Sequence, residues 1–176
     1  MDATTRRKQI LAAIERAAYP ITAKALSDKL GVSRQVIVGD VALLRAQGHE
    51  ITATSRGYIL NVMHSAKNQY LGKIVSKHTV VDTKSELYKI VDLDGTIVDV
   101  SIEHNIYGNI TGSLNLKSRA DVDNFIERLQ SSQDKLLLEL TDHGVHQHTI
   151  ACRDKNHFEH IIQVLAQNGF IHEIFP

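Results

Sequence analysis

His146 and His148 are the residues in this chain whose type and spacing most directly suggest chemistry. They lie in Gly144-Val-His-Gln-His-Thr-Ile150, a segment that reads as a β-strand. Alternate strand residues project from one face about 7 Å apart, so both imidazoles can reach a single metal ion. Imidazole suits Zn, Ni, Cu or Fe, and the ligands alone do not select among them. His143, His78, His104, His157 and His160 are further candidates that spacing cannot rank. A lone H-x-H pair is also compatible with two ordinary strand residues. A second motif, Asp92-Leu-Asp94-Gly95-Thr96, has the form of the aspartyl nucleophile loop of haloacid-dehalogenase-type phosphatases. That chemistry needs a large doubly wound domain behind the motif, and only residues 97–176 follow. The Asp-Gly pair is therefore read as a turn. Glu86 closes Thr83-Lys-Ser-Glu86, a capping-box pattern that accounts for it without chemistry.

The elements that must position these residues fall into two parts. Residues 1–61 carry nine Lys/Arg against five Asp/Glu, a net of +4, whereas residues 62–176 carry a net of −4 and nine of the ten histidines. A basic segment facing a polyanion and an acidic, histidine-rich segment with another task are implied. The boundary is expected near residues 61–66, giving a first domain over 1–62 and a second over 66–176. Apolar residues at 43% and charged residues at 23% describe a globular chain. The absence of a long apolar run excludes a membrane span, and no apolar stretch follows the basic N-terminal cluster as in a secretory signal. One cysteine, Cys152, excludes a disulfide framework. A cytoplasmic protein is expected.

In the first part, apolar spacing predicts helices over Arg6–Ala18, Thr22–Leu30 and Ser33 to about Gln47. Gly31 and Gly48 follow the second and third as stops. The third helix opens on Ser33-Arg34-Gln35, polar residues suited to a DNA groove, and makes a helix-turn-helix with the second. Ile51–Thr54 and Tyr58–Leu60 flank a turn and predict a hairpin, the wing of a winged helix-turn-helix, with Arg56 at its tip for phosphate or a narrow groove. Gly39 inside the third helix costs roughly 1 kcal/mol against alanine.

The second part predicts strands over Tyr70–Thr79, Thr96–Ile102, Asn105–Leu114, Lys135–Leu140, His146–Cys152 and Phe170–Ile174. Helices are predicted after Thr83, after Ser118 and after Asp154 or Asn156. The fold class is α+β: a winged helix-turn-helix followed by a small α/β sandwich, a mixed sheet with helices on one face.

Taken together, several motifs resemble the niacin-responsive transcriptional repressors, a family with a winged helix-turn-helix and a three-histidine (3H) domain. They are Ser33–Val38, Ala42–Ala46, Arg56–Leu60, Lys77-His78, Glu103-His104 with Tyr107-Gly108, and Gly144–Ile150. The resemblance implies a dimeric repressor of NAD-biosynthesis or niacin-uptake genes that binds operator DNA, with nicotinic acid as co-repressor. It also implies a divalent transition metal, Ni, Zn or Fe, held by His78, Glu86, His146 and His148. DNA contacts fall to Ser33, Arg34, Gln35 and Arg56, and no catalytic residue is implied. Two features depart from the family pattern: Gly39 stands where a longer polar side chain is expected, and His143 adds a histidine beside the pair. A repressor that senses the metal itself, and a metal-dependent hydrolase or phosphatase, are the alternatives the same ligands allow.

Overall fold

Three short polar side chains start the first three helices. In the computed structural model, which describes residues 2–17, 19–60 and 69–173, α1 spans Ala3–Glu15 and begins where the Asp2 carboxylate accepts from the Thr4 and Thr5 amides, both at 3.0 Å. Helix α2 (Ala23–Leu30) starts at Thr22, whose hydroxyl accepts from the Ala25 amide, and ends at Gly31 in the left-handed region. Helix α3 (Arg34–Ala46) starts at Ser33, which accepts from the Val36 amide at 3.3 Å. The first helix thus runs three residues earlier than predicted, because Asp2 caps it, and it ends at Glu15. Ala18 lies outside the described residues.

The chain divides into two compact units, residues 1–67 and 68–176. The junction expected near residues 61–66 falls outside the described residues. In the first unit, Ile10 and Ile14, Leu26, and Ile37, Val41 and Leu44 meet at one core with Ile51. Strands β1 (Ile51–Thr54) and β2 (Gly57–Leu60) pair antiparallel as the wing. Ile21, between α1 and α2, exchanges backbone hydrogen bonds with Tyr58 at 2.8 and 2.9 Å, stitching the wing to the helices. The Gly57 backbone comes so close to Ile21 there that a Cβ would collide with it.

The second unit runs β3 (Tyr70–Lys77), α4 (Thr83–Asp92), β4 (Thr96–His104), β5 (Gly108–Leu116), α5 (Arg119–Ser131), β6 (Val145–Cys152), α6 (Lys155–Gln167) and β7 (Ile171–Glu173). The sheet order is β5-β4-β6-β3-β7, and every neighbouring pair is antiparallel. The expected mixed sheet is corrected in this respect. Helix α4 joins β3 to β4, a crossover that leaves them pointing the same way, but β6 inserts between them and runs against both. Parallel strands are present, yet never as neighbours.

Ile74, Ile97 and Ile150 of the sheet pack with Leu87 and Ile90 of α4, Val122 of α5, and Ile161 and Leu165 of α6. Leu71 and Lys73, out of phase with Ile74 on β3, are exposed. The strand expected over Lys135–Leu140 is absent: Leu137–Leu140 and Asp142–Gly144 form 3-10 turns. The Glu139 carboxylate accepts from the Leu136 amide at 2.7 Å and the Thr141 hydroxyl donates to the Leu138 carbonyl, local bonds that favour a turn over a ladder. Strand β5 starts at Gly108 rather than Asn105, since residues 105–107 form the hairpin turn. Of the predicted last strand, Ile174 lies outside the described residues.

Candidate metal centre

The hydrophobic spacing of α4 turns Leu87, Ile90 and Val91 toward the sheet, and the same face carries Glu86 inward. Glu86 is completely buried, with no surface exposed. Strand β6 presents His146 and His148 on the face that packs against α4, opposite Ser76 and Ile74 of β3 respectively. His78 follows β3 directly. All three imidazoles converge on one atom: His78 Nε2 lies 2.6 Å from Glu86 Oε2, and His146 and His148 Nε2 each lie 3.4 Å from it. The His78 and His146 rings stand edge to face at 4.6 Å, and those of His146 and His148 at 5.0 Å.

The other nitrogen of each ring fixes its tautomer. His78 Nδ1 lies 2.8 Å from the Thr79 carbonyl, His146 Nδ1 2.9 Å from that of Gly144, and His148 Nδ1 2.9 Å from that of Asp99. A carbonyl only accepts, so each Nδ1 donates and each neutral ring points its Nε2 lone pair at a carboxylate. Lone pairs facing a carboxylate repel unless a cation lies between them. Protons can serve in part. For His148 and His78, burial disfavours the charged ring, yet the Glu86 charge and hydrogen bonds leave both pKa values raised. Burial likewise opposes ionisation of Glu86, but attraction from His148 and hydrogen bonds from His146, His148 and His78 hold its pKa well below the usual carboxylate range. Protonating all three rings would leave a larger buried excess of positive charge than a divalent ion among neutral rings, which Glu86 offsets in part. His78, Glu86 and His146 offer ligand atoms within 4.8 Å of one another, and His148 joins them through the shared carboxylate. The backbone carbonyls behind the rings are the outer partners that orient metal-binding histidines. This donor set fits a divalent transition ion.

Gly144 completes the arrangement. Its backbone is left-handed (φ +71°) and passes so close to the His78 carbonyl oxygen that a Cβ would collide with it. The turn before β6 can thereby approach the end of β3, which brings His146 to His78.

The capping-box reading of Glu86 is overturned. Asp82 occupies the cap position of α4 in a helical conformation, no side chain caps the helix, and Glu86 faces the histidines. The preceding 3-10 turn Val80–Asp82 already feeds the helix, so its first amides need no side-chain box. The other four candidate histidines stay apart from the cluster. His143 is exposed in a left-handed turn, and His104 Nδ1 accepts from the Ile106 and Tyr107 amides. His157 binds the Leu93 carbonyl, and His160 is exposed. The phosphatase-like motif is a turn, as predicted: Asp92 is paired twice with Arg119 at 2.6 Å, and Asp94 has φ 60°. Ser76 and Thr83, beside the cluster, carried no signal in the sequence beyond a cap pattern for Thr83.

In the first unit, Arg34 and Gln35 are exposed at the start of α3 and Arg56 lies in the turn of the wing. The Ser33 hydroxyl is engaged by the helix cap. Space around Gly39 is open.

Comparisons with known proteins agree with this division. An HTH domain family matches residues 6–59, and the 3H domain family matches residues 72–173. A probable transcription repressor NiaR from Thermotoga maritima is 38% identical over 168 residues, covering 96% of this chain and 94% of the relative. The transcription repressor NadR of Bacillus subtilis is 36% identical over 167 residues, covering 94% and 92%. The chain belongs to the NiaR/NadR family of transcription repressors. For this NiaR/NadR member, the His/Glu cluster falls wholly within the segment matched by the 3H domain family, and the wing up to Ile59 falls within the HTH match. No helix among the described residues is long and apolar enough to cross a membrane.

Proposed function

We propose that this chain is a DNA-binding transcription repressor whose second unit holds a divalent transition metal through His78, Glu86, His146 and His148 and binds nicotinic acid there as co-repressor. The observation that carries the metal is the convergence of three Nε2 atoms, each tautomer set by a backbone carbonyl, on one buried carboxylate oxygen. Bound there, the ion supplies a Lewis acid for a pyridine nitrogen or a carboxylate. The chain's own residues orient the rings, exclude water and clip β3, α4 and β6 together, so that loading also stabilises the unit. The genes controlled are those of NAD biosynthesis or niacin uptake, in the cytoplasm. Arg34 and Gln35 read base edges, and Arg56 meets phosphate. Ser33 contributes as the cap that orients them. One short recognition helix reads too few bases to specify a genomic site, so the repressor works as a homodimer on an inverted repeat.

One observation favours a second reading, a repressor of which the metal itself is the signal: all four ligands are buried. Fluorescence anisotropy with a duplex selected from random sequence separates the two. With metal saturated, nicotinic acid is expected to tighten binding at least tenfold and nicotinamide to do much less. Equal affinity with and without the acid, together with dependence on the metal, would replace the effector reading by metal sensing.

A further inference from the structure

Three buried polar atoms have no hydrogen-bond partner among the described residues: Ser76 Oγ, Thr83 Oγ1 and Glu86 Oε1. They belong to one neighbourhood. Ser76 faces His146 across the β3–β6 ladder and so shares its side of the sheet. Thr83 lies three residues before Glu86 on α4, on the same helical face. Ser76 is completely buried and Thr83 is 5% exposed. Glu86 itself spends only Oε2 on the histidines.

A hydroxyl taken out of water without a partner is unfavourable, and buried polar groups are rarely left so. Orphans gathered around one centre mark the place where a bound group supplies the partner. Thr83 is not used as a helix cap, because no side chain caps α4. Both hydroxyls can donate, and neutral hydroxyls are poor ligands for the transition ions that imidazole suits. What they await is an acceptor. Building on the reading that this unit binds an aromatic acid beside a metal, we propose that Ser76 and Thr83 form the carboxylate subsite for the effector. They donate two hydrogen bonds to its carboxylate, which leaves the ring nitrogen as the group for the metal. A second carboxylate beside Glu86 is tolerated because the ion offsets the charge. The two hydroxyls are therefore specificity-determining residues rather than metal ligands.

Ser76→Ala and Thr83→Val remove the hydroxyls with little change of shape, and the full chain is used throughout. Metal content after dialysis is expected to match the wild type. Without metal, both variants are expected to melt at or above the wild-type temperature, because an unpartnered group has been removed. In the loaded protein, nicotinic acid affinity by calorimetry is expected to fall at least tenfold in each. 3-Methylpyridine, which keeps the ring nitrogen and lacks the carboxylate, is expected to bind wild type and variants alike. Unchanged nicotinic acid affinity with metal retained would overturn the subsite and leave the effector reading intact. Loss of metal in both variants would assign the hydroxyls to the ion and overturn it as well. A loaded wild type that does not bind nicotinic acid would remove the effector reading, and the subsite with it.

Discussion

Asp40 in the first unit and Glu86 in the second are both buried carboxylates facing ionisable side chains, and they differ in what offsets their charge. In the helix-turn-helix unit, Asp40 on α3 is 4% exposed and meets Arg6 at 2.6 Å and Arg7 at 3.5 Å, both from α1. Arg6 and Arg7 remain in partial contact with water, so they bring their charge without burying it fully. In the second unit, Glu86 is sealed from solvent and faces three histidines that, when neutral, direct Nε2 lone pairs at it. In the first unit, Asp40 finds its counter-charges within the polypeptide. On the function proposed above, the second unit is completed by a cation from outside, and its stability then depends on ligand concentration.

The largest test of this contrast is removal of the metal. Chelation is expected to cost the second unit about 4 kcal/mol if the free ion had stood a thousandfold above its dissociation constant, and to leave the first unit unchanged. Hydrogen exchange resolves the two units separately. The double change His146→Ala/His148→Ala is expected to reproduce the chelated pattern. Gln147→Ala is expected to keep full metal content, because that residue projects from the opposite face of β6. Equal loss of protection in both units on chelation would break the comparison.

Gly144→Ala comes next. A left-handed residue with a Cβ costs about 1–2 kcal/mol, and the collision with the His78 carbonyl adds to it. Because Gly144 also supplies the carbonyl that orients His146, metal affinity is expected to fall roughly 10–100-fold. A competition titration against a chromophoric chelator measures this, and an unaltered affinity would detach the glycine from the site.

The smallest expected effect is in the first unit. Asp40→Asn keeps the shape and removes the charge, and the midpoint of that unit is expected to fall by a few degrees with no change in metal affinity. The loss stays modest because Arg6 retains access to water. A shift in metal affinity would show that the two units do not neutralise their carboxylates independently.

Much of the fold was legible because local rules carried it. Thr22, Ser33, Ser118 and Asp154 each cap the helix predicted to follow them. The wing followed from alternation around a turn. Lys135–Leu140 failed because apolar content alone does not distinguish a strand from a turn closed by Glu139 and Thr141. The sheet was expected to be mixed because strands and helices intermix in short units, and no local signal announces that β6 inserts between β3 and β4.

At the site, strand periodicity by itself put His146 and His148 on one face of β6, since projection alternates along any strand. Glu86 shows where that logic stopped. Its segment satisfied a capping pattern, and only the packing of α4 against the sheet turned the carboxylate toward β6. His78 was one candidate among several until the β3–β6 register and the close approach at Gly144 brought it to within 2.6 Å of that carboxylate. His143, adjacent in sequence to the pair, was set outside by a left-handed turn. Ser76 and Thr83 carry no sequence mark as donors, because a hydroxyl becomes conspicuous only when burial removes water and no neighbour replaces it. Local periodicity and capping depend on the few residues that flank a position, and the sequence states those directly. Which side chains share one buried centre depends on contacts between residues 60 apart, such as Glu86 and His146, and those exist only once the sheet and α4 have packed.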